Sequence, residues 1–529
     1  MIIRKLLSVC AAAIYLTALP VQADAGQWIR TESQHFVIYS DTGTKTASLY
    51  ASRLEQYRYI LSRFHGLTAQ DDADAPKLKI YSVDSFTDLK HIWPGASDNV
   101  AGFYKTCADD QAAVAIYQND SIQKKQDARN QAENPSQAVL FHEYAHNFMF
   151  QYSGVAYPHW YVEGYAEYFS TARIENDTAV IGMAFSWRVP RLTSYTGDQL
   201  SWEDLLRDNW RSQHYDPGKA GAFYAQSWLL AHYVMSDPAR TAQMSQYIAA
   251  YGRGEDPVKA FEAAFDIPVK DLGKVLGDYF SHLHATEYHL KDMPAPQVTT
   301  TLLPASANRL LLLDTATQLC SWKKDRPGLL ERISAEATKY SGDDYAQMVL
   351  ASAEIVNGDE AKAVPYLQTY TTAHPDDAQG WFRLGQALYL MTQHKHIADG
   401  ETVDTQAREA RAALGKAYQL DPLDAPNLYY YAHAQADVPG TIGENAVTAA
   451  IAAHDLAPSV KAYAFYAARL LIDRNRLDEA SIVLIPLADN PHAQETADRA
   501  RKLIDAIKAG KPKNEILALL QSSGEDDAP

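Results

Sequence analysis

His142-Glu143-Tyr144-Ala145-His146 leaves the chain less freedom than any other segment. On a helix, two histidines four residues apart lie on one face, stacked one turn apart. There both imidazoles can grip one zinc ion, and the Glu between them can act as general base. A third ligand is still needed, and Glu163 follows in Glu163-Gly164-Tyr165-Ala166-Glu167, with sixteen residues between it and His146. Both segments read as helical. The first runs from Pro135 to about Tyr152 with Asn134 as its cap, and the second from about Trp160 to Ala172.

His142, His146 and Glu163 would leave one tetrahedral position open for water, whose pKa falls when zinc is bound. Glu143 would take the proton of that water and later pass it to the leaving amine. A buried Glu163 without a metal would be costly, which favours the ligand reading. Glu167 lies one turn after Glu163, on the same face. It either orients a ligand histidine through the second ring nitrogen or is a solvated surface glutamate.

The combination His142-Glu143-x-x-His146 with Trp160-x-x-Glu163-Gly164-x-Ala166 resembles the gluzincin metallopeptidases, the clan of thermolysin and the aminopeptidase-N family. The resemblance implies a zinc hydrolase with one zinc per chain and Glu163 as third ligand. It also implies a tyrosine downstream that stabilises the oxyanion. Tyr224, in Phe223-Tyr224-Ala225-Gln226-Ser227-Trp228, is the candidate, 61 residues past Glu163. A core aromatic is the alternative in a chain with 33 tyrosines, and His214 and Tyr215 stand in reserve for the role. Residues 28–285 are similar to a peptidase-MA-like domain of exported bacterial proteins. The Gly-x-Met-Glu-Asn strand that holds a substrate amino terminus in the aminopeptidases has no counterpart in 100–117, so endopeptidase action is expected. Ala112–Tyr117 is expected to be an edge strand that pairs with substrate backbone.

A chain of 529 residues exceeds one compact core, so several domains are expected. The expected class is α+β. A gluzincin-like domain with a small mixed sheet and a helical subdomain (24–290) is followed by a linker (291–320). An all-α tetratricopeptide-like domain (321–512) and a terminal helix with a disordered tail (513–529) complete the chain. Within the first domain, strands are predicted at 35–39, 78–81, 100–105 and 112–117, with a long helix over 44–64. In the second, Trp381-x-x-Leu384-Gly385 resembles the start of a tetratricopeptide repeat. Ala410, Leu414, Ala417 and Pro422 fit its second helix. Pro375, Pro422, Pro458 and Pro491 punctuate the region at 47, 36 and 33 residues, the first interval carrying a polar insertion around Gln393 to Asp404. A generic helical bundle is the competing description. Repeats of this kind would bind a protein partner or position a peptide or protein substrate.

Arg4 and Lys5, the apolar run Leu6 to Leu19 and Val21-Gln22-Ala23 read as a signal peptide over 1–23, too short to anchor the chain. Its removal takes away two positive charges and moves the net charge from −17 to −19. An exported protein, periplasmic or extracellular, is expected, with no stable membrane span. So acidic a chain repels phosphate backbones, and no nucleic-acid partner is expected. Cys107 and Cys320 remain after cleavage. With no spacing pattern, they read as two separate buried thiols rather than as a pair. A non-catalytic cell-envelope scaffold that retains a zinc-binding fold is the other function class the chain allows.

Overall fold

The first half is built on a mixed sheet. Strands β1 (Ile29–Glu32) and β2 (Phe36–Ser40) lead into helix α1 (Thr44–Phe64), then β3 (Leu78–Val83), α2 (Phe86–Ile92), β4 (Gly102–Thr106) and β5 (Gln111–Ile116). The computed structural model describes residues 26–68, 75–96, 102–116 and 135–521, apart from 153, 176, 185–188, 194–198, 210–216, 323, 438–441 and 491–492. The expected signal peptide, the Asn134 cap, His214, Tyr215, Pro491 and the tail from Ser522 lie outside these residues.

Helices α3 (Pro135–Tyr152) and α4 (His159–Ser170) follow, then β6 (Arg173–Glu175) and β7 (Thr178–Ile181). Helices α5 (Val189–Thr193), α6 (Trp202–Arg207), α7 (Pro217–Met235), α8 (Pro238–Gly252), α9 (Pro257–Phe265) and α10 (Val269–Phe280) build the helical subdomain. Strand β8 (Thr286–His289) joins β6 and β7 in a small antiparallel sheet.

The segment expected as a linker is instead part of this half. Strand β9 (Thr299–Leu302) pairs antiparallel with β1, giving a six-stranded sheet in the order β4-β5-β3-β2-β1-β9. Helix α11 (Ala307–Gln318) then covers the face that α1 and α3 leave bare. The alternation of the strands requires such a cover, because both faces are apolar. Phe36, Ile38, Ile80 and Ala113 point into the core with α1 and α3. Tyr81, Val83, Ala112 and Val114 point the other way, onto Leu89 and Ile92 of α2 and Ala307 and Leu311 of α11.

A second expectation also fails. Strand β5 is not an edge, since it lies between β3 (parallel, Tyr81 opposite Val114) and β4 (antiparallel, Tyr104 opposite Ala113). The edge beside α3 is β4.

Among the described residues the second half is built of helices: α12 (Arg326–Ala337), α13 (Asp344–Val356), α14 (Glu360–Ala373), α15 (Ala378–Gln393), α16 (Val403–Leu420), α17 (Ala425–Ala436), α18 (Glu444–Leu456), α19 (Lys461–Asp473), α20 (Leu477–Ala488), α21 (Gln494–Lys508) and α22 (Lys513–Gln521). From α13 onward, neighbouring helices share one continuous core. Aspartates cap α13, α15 and α17 (Asp343, Asp377, Asp424), each accepting from amides of the first turn. Pro375 and Pro422 fall in the turns just before two of these caps. Gly385 explains itself by packing, since a Cβ there would lie 2.6 Å from Leu414 Cγ on the facing helix. Among the described residues no helix is long and apolar enough to cross a membrane.

Candidate metal centre

Helix α3 is fixed from behind. Phe141, Tyr144, Ala145 and Phe148 follow helical spacing and are buried. Tyr57 of α1 stacks on Phe141 at 3.9 Å between ring centroids and donates to the Phe141 carbonyl at 2.9 Å. Arg58 donates to the Tyr144 and Tyr152 hydroxyls at 2.8 and 2.6 Å. The opposite face carries His142, Glu143 and His146.

Helix α4 is buried along its whole length. Its close approach depends on Gly164, where a Cβ would lie 2.3 Å from the Ser227 carbonyl oxygen and 2.7 Å from Ala231 Cβ. No side chain fits between α4 and α7 at that point. The glycine beside Glu163 is thus a packing requirement, and it also draws in α7 with Tyr224.

The result is a tight convergence of donors. His142 Nε2 and His146 Nε2 lie 3.0 Å apart, and Glu163 Oε2 lies 3.3 and 3.4 Å from them. Tetrahedral zinc with bonds of 2.0–2.1 Å would separate its ligand atoms by about 3.3–3.4 Å. The two sides to Glu163 have this length and the side between the histidines is shorter, and Glu163 is fully buried within the triangle. Glu167, also buried, places Oε1 3.5 Å from His142 Nδ1, on the far side of that ring. This excludes the surface reading of Glu167.

Burial disfavours a charged His142, but Glu163, Glu167 and Glu143 outweigh it and lift its pKa to about 9. The carboxylates thus create a place that holds positive charge. Tyr224 is half-buried, with its ring 6.4 Å from that of His142. The structure brings His142, His146, Glu163, Glu167 and Tyr224 together, with Glu143 on the same helix at the partly open side.

One neighbour carries no sequence signal. Tyr104 on β4 accepts from Asn147 Nδ2 at 3.0 Å and donates to Gln111 Oε1 at 2.6 Å. Its hydroxyl also lies 3.4 Å from Ser459 Oγ of the helical half. Burial first, and the charge of Glu143 among lesser causes, raise its pKa. Only strand register places it beside α3.

The helical half grips both flanks of this centre. On one flank the β4–β5 turn enters the side lined by α15, α17 and α19, alternate helices of the stack. Asp109 accepts from Gln386 Nε2 (2.6 Å) and the Tyr430 hydroxyl (3.2 Å), and Tyr463 donates to the Ala108 carbonyl (2.7 Å). Cys107 and Cys320, expected as separate thiols, form a disulfide here, their Cα atoms 6.0 Å apart. The return of β9 and α11 to the sheet carries Cys320 to the turn. On the other flank Gln151 donates to the Asp455 carbonyl (2.6 Å), and Asp489 accepts from the Tyr157 amide (2.7 Å). Arg501 Nη2 lies 2.8 Å from His159 Nε2, and the other nitrogen of that ring pairs with Asp208.

No protein-family profile matches the chain, and no curated protein matches it. Among solved structures it is similar to a thermophilic tetratricopeptide-repeat protein of Thermus thermophilus. The two are 20% identical with a TM-score of 0.32, over 37% of this chain and 98% of that one.

Proposed function

We propose that the chain is a zinc-dependent metallopeptidase of the gluzincin type, acting as an endopeptidase outside the cytoplasm. The observation that carries the reading is the donor triangle of His142, His146 and Glu163, whose two sides to Glu163 match the spacing a tetrahedral zinc ion requires. When bound, zinc supplies Lewis acidity, which polarises a carbonyl and makes water nucleophilic near neutral pH. Glu143 accepts the proton of the attacking water and returns it to the leaving nitrogen. Tyr224 donates its phenolic O–H to the developing oxyanion. Glu167 holds the His142 ring in orientation and keeps Nε2 directed at the metal. Strand β4, the outermost strand of the sheet among the described residues, offers backbone groups to an extended peptide. The disulfide supports an oxidising compartment and hence export.

The repeat helices take a role in positioning the site and its substrate. The side lined by α15, α17 and α19 already holds the β4–β5 turn, which weighs against the scaffold reading on that side. The decisive measurement pairs zinc content with cleavage of a peptide library. The wild-type chain is expected to cleave, and Glu143→Gln to lose roughly 10²–10⁴-fold in rate while keeping its zinc. Full zinc occupancy of the wild type with no cleavage of any library member would overturn the peptidase reading.

A further inference from the structure

Two histidines outside the centre described above share a buried carboxylate. His394 caps the end of α15, and His396 follows after Lys395, whose φ of 60° turns the chain back. Glu360 opens α14 and is fully buried. His394 Nδ1 lies 2.7 Å from Glu360 Oε1, and His396 Nδ1 lies 3.8 Å from Oε2. Each ring therefore addresses a different oxygen of one carboxylate. Among the described residues Oε2 has no hydrogen-bond partner, although it is shut off from water.

We propose that Glu360, His394 and His396 form a second metal site, for a divalent transition ion of the zinc, cobalt or nickel class. The donor set decides the class, because two imidazoles with one carboxylate suit these ions rather than calcium or magnesium. The ligand atoms already lie within 4.8 Å of one another. A proton on His394 satisfies only Oε1, whereas an ion between the rings draws on both histidines and on the oxygen that is left over. A buried carboxylate with an unsatisfied oxygen is costly, and a cation removes that cost.

The backbone that presents the histidines is held in advance. The His394 and His396 amides donate to the Leu390 and Met391 carbonyls, both at 2.8 Å. Gln406 donates to the His396 carbonyl at 3.1 Å and accepts from the Ala398 amide at 3.0 Å. This is the polar insertion that lengthens the first repeat interval. Both imidazoles stay about half exposed, so an ion can enter from solvent. His394 also lines a cavity of about 800 Å³ between the β4–β5 turn and the repeats. The ion would pin the insertion to the start of α14 at the wall of that cavity.

The test is metal stoichiometry on the full chain, without a polyhistidine tag, stripped with chelator and titrated with Zn²⁺ and Co²⁺. Wild type is expected to bind two equivalents. His394→Ala/His396→Ala should lose one and keep its peptide cleavage, and His142→Ala/His146→Ala should keep the other. Glu360→Gln, nearly isosteric, should weaken the same equivalent and guards against a misfolded histidine variant. If the metallopeptidase reading fails, wild type still binds one equivalent, abolished by His394→Ala/His396→Ala. Unchanged stoichiometry and affinity in that variant, or no metal bound by His142→Ala/His146→Ala, overturns the proposal.

Discussion

The candidate metal centre and the clamp around it are built in opposite ways. The centre comes from two helices close in sequence, with sixteen residues between His146 and Glu163. The clamp joins residues hundreds of positions apart: the disulfide spans 213, and Tyr157 meets Asp489 across 332. The first arrangement follows from helical spacing and local packing. The second depends on how β9, α11 and the helical half return to the sheet. A site encoded by motif thus stands beside a support encoded by topology, and perturbing one should leave the other largely intact.

The largest expected effect is on the clamp. Cys107→Ser with Cys320→Ser removes a long covalent closure and should cost about 2–5 kcal/mol of stability in chemical denaturation. Zinc bound at His142, His146 and Glu163 should be unchanged, because both cysteines lie outside the two helices that carry those residues. Loss of zinc together with the disulfide would show that centre and clamp are one unit.

A pH effect is expected next. Burial, only partly offset by the Tyr157 amide and Arg501, raises Asp489 to about 7 from an ordinary value near 4. A raised acid pKa means the folded chain holds an extra proton between those values. Stability is therefore highest below about pH 4 for this group, and falls as pH rises through 7. Asp489→Asn keeps an acceptor for Tyr157 and removes the buried charge. It should gain on the order of 1–4 kcal/mol at pH 8 and little at pH 4. Unfolding midpoints at the two pH values check this, and an equal shift at both would refute the assignment.

Gly164→Ala attacks the centre instead. The added methyl meets a backbone carbonyl, and roughly 1–3 kcal/mol should be lost. Displacement of α7 would carry Tyr224 away from His142, so cleavage should fall further than stability explains. Tyr104→Phe, the smallest change, removes one hydroxyl where the two regions meet and should cost about 0.5–1.5 kcal/mol in thermal unfolding.

Legibility followed the same division. Helical spacing in 135–172 reaches α3 and α4, and strand alternation reaches β2, β3 and β5, because these signals are local. Gly164 was legible as part of a motif, yet its reason, the contact with Ser227 and Ala231, exists only once α7 is in place. Strand β9 is four residues of threonine and leucine in a polar stretch, and only its partner β1 makes it a strand. Residues 291–320 therefore read as a linker. Cys107 and Cys320 lack any spacing rule, and their pairing follows from that same return of the chain. Tyr104 sits beside Asn147 through sheet register, which a window along the sequence does not carry.

The bond between Cys107 and Cys320 also has a consequence for fragments. A single cut anywhere between the two cysteines opens the chain but separates nothing. The two pieces would migrate as one species on a gel until thiols are added, and then as two. A nick in the helical subdomain would therefore leave the assembly whole.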